Sequence, residues 1–318
     1  MDTLDLARQN ITSPAILAFA MGMLATALRS DIRLPEAVYQ AVTMYLLLAI
    51  GLKGGGALSE ASLGEFWAPA LATLVLSVAI PVATFAVLHR LGRLSVADAA
   101  AMAAHYGSTS VVTYTAAVTF LHTIGEPYEG FLPSLLAILE VPAIVVALLL
   151  ARPSAGGVGE ALREVLTGRS IVLLTGGMAI GLLTGRDGLN AVSPFFEAPF
   201  VGVLTLFLLE MGGVAARRIG DLRRAGRVVL AFALVAPPVN GTAGIVLGEL
   251  AGLSLGGSML LGVLAASASY IAAPAAVRIA LPEANPGYYL TATLAVTFPF
   301  NLIVGIPLYF EIASRVNG

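Results

Sequence analysis

Two stretches of the chain set hydroxyl groups inside otherwise apolar sequence. One is His105-Tyr106-Gly107-Ser108-Thr109-Ser110-Val111-Val112-Thr113; the other is Ser267-Ala268-Ser269-Tyr270-Ile271-Ala272-Ala273-Pro274. Their chemistry is hydrogen bonding rather than bond making. The chain has no Cys, so it offers no thiolate nucleophile and no thiolate metal site. It has no His-Glu-x-x-His motif, which argues against an intramembrane hydrolase using Ser with His105 or Glu140. Pro274 lacks a backbone donor and its ring clashes with the carbonyl four residues back, at Tyr270, so the second stretch predicts a broken helix. A break inside lipid is tolerated where the freed groups line a cavity or find protein partners, and Ser and Thr hydroxyls are such partners. Each new helix start presents unpaired N–H groups and roughly half a positive charge. Two starts facing each other make an anion site with no Lys or Arg. The same residue types also serve as packing and kink residues in membrane helices; it is their recurrence at matching places that favours a site.

Ionisable residues within apolar stretches are costly and point to function or to helix locking. Glu140 lies in the middle of such a stretch, as a candidate for cation or proton handling or for an ion pair. Glu210, Asp98 and Lys53 read as structural, with Lys53 expected to pair with Glu140 or Glu210. His105 titrates in the physiological range when unperturbed, but reads more readily as a satisfied packing residue. Thr297 and Asn301, around the kink expected at Pro299, lie where carbonyl and side-chain oxygens suit a hard cation.

The elements that position these groups follow from composition. Of 318 residues 58% are hydrophobic and 11% charged, less than half the charge that a water-facing surface carries. A net charge of −2, with one Lys (Lys53) beside 16 Arg, gives no basic field for nucleic acid. The fold class is therefore an all-α polytopic membrane protein. Ten stretches meet the ~20-residue requirement for a crossing, at about 13–29, 37–57, 66–89, 95–121, 131–151, 169–185, 198–215, 226–249, 255–281 and 288–313. With the N-terminus outside, 13 of the 17 Lys and Arg fall on the inner side (Arg152 and the Arg217–Arg224 run among them) and 4 on the outer: Arg8, Lys53, Arg186 and Arg315. That split obeys the positive-inside rule and places both termini outside. The N-terminal segment lacks the basic region of a cleaved signal peptide and reads as a short amphipathic lead-in.

The halves repeat at a spacing of about 160 residues. Leu47-Leu48-Ala49-Ile50-Gly51 matches Leu208-Leu209-Glu210-Met211-Gly212, Leu94-Ser95 matches Leu253-Ser254, and Glu140-Val141-Pro142 matches Phe298-Pro299. Five crossings per repeat is odd, so the second repeat enters the membrane upside down. In inverted repeats of this kind the substrate lies near the midplane at a pair of interrupted helices, here the fourth and the ninth.

At Ile50-Gly51-Leu52-Lys53-Gly54-Gly55, Tyr106-Gly107-Ser108-Thr109-Ser110, Ala265-Ala266-Ser267-Ala268-Ser269-Tyr270-Ile271 and Pro274-Ala275-Ala276-Val277-Arg278-Ile279-Ala280-Leu281-Pro282-Glu283-Ala284-Asn285-Pro286, the chain resembles the bacterial sodium-dependent bicarbonate transporter family. The resemblance covers essentially the full length. It implies two inverted five-helix repeats, with broken helices 4 and 9 crossing at the midplane. It also implies a gate or scaffold domain from 1–63 and 169–222, a moving core from 64–151 and 223–318, and a cytoplasmic link at 152–168. It implies Na⁺-coupled import of bicarbonate by an elevator-like motion, as a homotrimer in the bacterial inner membrane, with no cofactor beyond Na⁺ as coupling ion. The implied anion contacts are Gly107, Ser108, Thr109, Ser110, Ser269, Tyr270, Ile271 and Ala272. The implied Na⁺ ligands are Ser110, Thr113, Ser267 and Asn301. Some members bind a small PII-like regulator on the cytoplasmic face. The best-known members carry an Asp where this chain has Tyr270, a Gly-Ser pair where it has Val111-Val112, a Thr where it has Lys53, and a longer link. Two further readings stand beside Na⁺ symport: an organic-anion or proton-coupled carrier using Glu140 or His105, and a non-transporting receptor for the PII-like partner.

Overall fold

The computed structural model describes residues 3–30, 32–151 and 155–317. Arg152, Pro153 and Ser154, the start of the expected link, lie outside the described residues, as do Met1 and Asp2 of the lead-in and the side chains of Arg223 and Arg224. Every regular element among the described residues is a helix. The lead-in is α1 (Thr3–Ile11), followed by α2 (Pro14–Ala27), α3 (Glu36–Glu60) and α4 (Leu63–Ala86, continued by the π-helical turn Val87–Leu91). Next come α5 (Val96–Gly107), α6 (Val111–Ile124) and α7 (Leu132–Ala151). The link forms α8 (Ala155–Thr167), which packs on α7, α9 and α13. The second half runs through α9 (Arg169–Phe196), α10 (Phe200–Ile219), α11 (Leu222–Leu250), α12 (Leu255–Ala266), α13 (Ala272–Ala280) and α14 (Pro286–Val316).

Among the described residues six helices are long and apolar enough to cross a bilayer: Glu36–Glu60, Gly64–Leu91, Leu132–Ala151, Phe200–Ile219, Ala225–Leu250 and Pro286–Val316. The other expected crossings differ for local reasons. The first is only 14 residues long, between a Ser13 cap and the turn at Leu28. The fourth and ninth are each two short helices. The sixth does not stop at 185: Gly185, at φ +60°, kinks it and the helix resumes to Phe196. A left-handed φ is cheap only for Gly, and Gly226 (φ +82°) does the same near the start of α11. Outward faces are apolar, as lipid requires. Trp67, Leu71, Leu74, Val75, Val78 and Val82 form an exposed stripe along α4.

Packing pairs the halves. α2 lies on α10 and α3 on α9, while α5 packs against α4 and α7, and α12 against α11 and α14. Exchanging halves maps each pairing onto another. The close approaches obey the same exchange. A Cβ on Gly51 would strike the Leu174 carbonyl and one on Gly212 the Phe19 carbonyl; Gly177 faces the Leu48 carbonyl as Gly22 faces that of Leu209. Glycine at both seams lets backbones touch where dispersion, not water exclusion, holds helices together.

Candidate functional site

Both hydroxyl-rich stretches are helix breaks. α5 starts at an N-cap serine, Ser95, whose Oγ accepts from Asp98 N at 3.0 Å. α12 starts the same way at Ser254, from Gly257 N at 3.2 Å. Both helices last 12 residues and end at a serine in extended conformation, Ser108 (φ −82°, ψ 177°) and Ser267 (φ −83°, ψ 169°). The chain then resumes as α6, capped by Ser110, and as α13. Pro274 therefore starts a helix rather than kinking one: it sits in the first turn of α13, where its missing N–H would have had no helical partner anyway.

The breaks are tied to each other. Ser269 N donates to the His105 carbonyl at 2.8 Å. In the corresponding place Ser110 N donates to Ser267 Oγ at 2.9 Å, and Ser267 Oγ passes its own proton to the Leu264 carbonyl at 2.9 Å. One hydroxyl is thus interposed on one side of an otherwise two-fold arrangement. Thr109 Oγ1 donates to the same Ser267 oxygen at 2.9 Å. Ser110 Oγ accepts from Thr113 N at 3.1 Å and from Thr113 Oγ1 at 3.0 Å, and donates to the Tyr270 hydroxyl at 3.1 Å. Ser269 Oγ accepts from Ala273 N at 3.2 Å. All of these serines and threonines are buried.

Of the expected anion contacts, Ser108 stands out: it is fully buried and its Oγ has no hydrogen-bond partner. Buried hydroxyls are ordinarily satisfied, so this is a spare donor at the crossing. Gly107 closes α5 against Pro81, to which an added Cβ would come within 2.9 Å. Ile271 and Ala272 form the start of α13. The Tyr270 ring packs edge-on against Phe298 at 5.3 Å, and Phe298 meets Phe19 at 5.5 Å.

The expected cation ligands Ser110, Thr113 and Ser267 join one hydrogen-bonded set. Asn301 reaches its edge, with Nδ2 donating to the Ala266 carbonyl at 2.9 Å while Oδ1 accepts from Tyr309 Oη at 2.8 Å. These are oxygen donors, the kind a hard cation takes. Among the described residues no three His, Cys, Asp or Glu groups converge on a metal position.

Other candidates lie elsewhere. Lys53 pairs with neither Glu140 nor Glu210. Its Nζ is 3.7 Å from Glu197 Oε1, because α3 carries it past the turn between α9 and α10. Glu210 instead holds Arg217 at 3.3 Å and accepts from Leu34 N at 2.8 Å. Glu140 is buried on α7 with an unpartnered Oε2. His105 lends its carbonyl to the crossing but turns its ring away, stacked on Tyr289 at 4.4 Å with Nδ1 donating to the Ala101 carbonyl. Asp98, in the first turn of α5, accepts from the cap Ser95 Oγ at 2.7 Å and from Asn285 N at 2.8 Å, tying the start of α5 to the turn before α14. Glu129 does the reverse, accepting from Ser254 N at 2.6 Å before α7.

Sequence reasoning passed over two features. The first is a relay from Tyr106 Oη to Thr297 Oγ1 (2.6 Å) to the Ala233 carbonyl (2.8 Å). Pro237, four residues on, cannot donate to Ala233, which was the available signal. The second is a cavity of about 630 Å³ between α6 and α7 on one side and α3, α9 and α10 on the other. It touches α6 as far down as Tyr114, whose N–H donates to the Ser110 carbonyl; no sequence signal marked it.

Broken helices meeting through hydroxyls, inside a bundle with apolar outer faces, define a multi-pass membrane protein of the transporter kind. Residues 14–314 match the family model of the Na+-dependent bicarbonate transporter superfamily, and the chain belongs to that superfamily. It is a transporter family, so the chain is not an enzyme. No curated protein matches the chain.

Proposed function

We propose that the chain is a secondary active transporter that imports a small anion, bicarbonate first, together with Na⁺. The observation that carries this reading is the mutual hydrogen bonding of the two helix breaks, Ser269 N to His105 O and Ser110 N to Ser267 Oγ. It leaves the starts of α6 and α13 as amide donors, with the spare Ser108 hydroxyl beside them. Gly107, Ser108, Thr109, Ser110, Ser269, Tyr270, Ile271 and Ala272 form the anion site in this reading. Ser110, Thr113, Ser267 and Asn301 supply oxygens to Na⁺. The exchange of packing pairs between halves supports ten crossings in two inverted repeats. α2, α3, α9 and α10 act as gate, and α4–α7 with α11–α14 as a core that moves elevator-fashion. Both termini lie outside a bacterial inner membrane, the unit is a trimer, and the inner face is where a PII-like regulator docks.

Proteoliposome flux tests this. Bicarbonate uptake should follow an inward Na⁺ gradient, and replacing Ser108 or Ser269 by Leu should abolish uptake while the protein still inserts. Normal Na⁺-driven uptake in those variants overturns the site. One observation favours a second reading: Glu140 is buried with a free Oε2, as proton coupling requires. Uptake that follows a pH gradient and ignores Na⁺, and that fails in Glu140→Gln, selects it.

A further inference from the structure

The cavity of about 630 Å³ belongs to neither helix break. Its mouth is marked by Arg186 and Glu60, paired at 3.3 Å with side chains 76% and 50% exposed. Its floor is Tyr114 and Ile50, both buried. Between them lies the chain's one lysine, Lys53, its Nζ 5.0 Å above the centre of the Phe200 ring. Its carboxylate partner, Glu197, is 52% exposed, so it can be solvated when displaced. The wall around Lys53 carries apolar Leu189, Phe200, Val201 and Val118, with His122 of α6 facing both Lys53 and Glu197.

Three features set the ligand. Its anionic end is single, because Arg186 is already held by Glu60 and a second acid group would meet Glu60 and Glu197. It has an apolar body, because bicarbonate has no surface to lay on Leu189, Phe200 and Val201. It is larger than four heavy atoms, because pockets of roughly 300–1,000 Å³ take molecules of drug size. We infer that this cavity binds an organic monocarboxylate, its carboxylate on Lys53 in place of Glu197 and its hydrocarbon against Phe200 and Val201. The inference rests on the reading of the chain as an anion carrier and names the ligand class of its outer vestibule.

Calorimetric titration of the protein in lipid nanodiscs with acetate, butyrate, hexanoate and bicarbonate tests it, with no ion gradient present. Affinity should rise roughly threefold to fourfold for each buried methylene, with bicarbonate weakest. Lys53→Met should weaken hexanoate at least tenfold, and in the same nanodisc it also reports partition into lipid. Glu197→Gln, which frees Lys53, should tighten hexanoate severalfold, a gain that misfolding cannot mimic. An affinity flat with chain length, or a Glu197→Gln protein that binds no more tightly, overturns the inference. Bicarbonate flux is read separately. Flux without carboxylate binding sinks this inference alone; Lys53-dependent binding without flux of any anion sinks the carrier reading instead.

Discussion

Ser108 and Ser267 occupy equivalent places, each closing the first half of a broken helix, yet the structure gives them opposite roles, and alanine at each separates the two. Ser267 Oγ accepts from Ser110 N and from Thr109 Oγ1, and donates to Leu264 O. Ser267→Ala leaves the Ser110 amide buried with no acceptor, and a stranded buried donor costs about 1–3 kcal/mol. The Leu264 carbonyl keeps the Ser267 amide as a second donor at 3.3 Å, and the Thr109 hydroxyl is free to rotate, so neither adds much. The expected loss is about 2 kcal/mol, a factor of roughly 30 in the equilibrium between intact and opened crossing. Ser108 Oγ has no partner to lose, so Ser108→Ala should be neutral or slightly stabilising. Transport should rank them otherwise, because the spare hydroxyl of Ser108 is the one available to an anion: Ser108→Ala should lower uptake about tenfold, the value of a hydrogen bond to a charged group at its lower end. Heating followed by size-exclusion chromatography reads stability, and proteoliposome flux reads uptake. Equal thermal loss in both variants, or full uptake in Ser108→Ala, refutes the assignment of one serine to structure and the other to ligand.

Further outcomes follow from the same geometry. Thr297→Val strands both the Tyr106 hydroxyl and the Ala233 carbonyl and should cost about 2–3 kcal/mol; Pro237→Ala, which returns a helical donor to Ala233, should recover part of that loss in a double-mutant thermal cycle. Gly51→Ala and Gly212→Ala place a methyl group against the backbone carbonyls of Leu174 and Phe19. Each should destabilise by about 1–3 kcal/mol as overpacking does, to a similar degree, whereas Gly202→Ala, which meets open space, should be silent in the same assay. Because the chain has no cysteine, Thr123→Cys and Asn190→Cys should react with a membrane-impermeant maleimide from outside intact cells, and Gly220→Cys only after lysis.

The chain's class was legible in its composition, since a shortage of charge leaves no way to face water. Both breaks were legible because Ser, Thr, Gly and Pro within an apolar run leave the backbone few other options. Ser95 and Ser254 were visible as matching residues, and they match because each caps the first half of a broken helix. What escaped were partners fixed by three-dimensional packing. Nothing local says that Lys53 meets Glu197 rather than Glu140: the pairing depends on the helix of Arg169–Phe196 outrunning its expected end at Gly185. The Tyr106–Thr297–Ala233 relay and the Asn301–Tyr309 bond likewise join groups distant in sequence or on successive turns of one long helix, where apolar periodicity gives no register. Hydropathy also could not separate a 14-residue first crossing from a full one.

The position of Tyr270 bears on how the proposed machine would move. On one side of the crossing the proposed core meets the proposed gate through aromatic rings: Tyr270 packs on Phe298 and Phe298 crosses to Phe19, while Tyr39 stacks on Phe207 at 5.5 Å within the gate helices. On the other side the seam holds the cavity that reaches Tyr114. A packed side and an open side on a common seam is what one end state of alternating access requires, and in the proposed orientation the open side would face outward. Tyr270 is the hinge of that asymmetry, since its hydroxyl is tied to Ser110 in the site while its ring belongs to the packed seam. A carboxylate at this place would supply charge to a cation but would take one of its two ring partners from Phe298, leaving it on Phe19 alone. Tyr270→Asp should therefore do two separable things: tighten the dependence of uptake on Na⁺, and loosen the packed side so that it becomes accessible to a thiol reagent at an introduced Phe207→Cys. If Tyr270→Asp changes neither, the tyrosine is only a packing residue and the seam is held by the other rings.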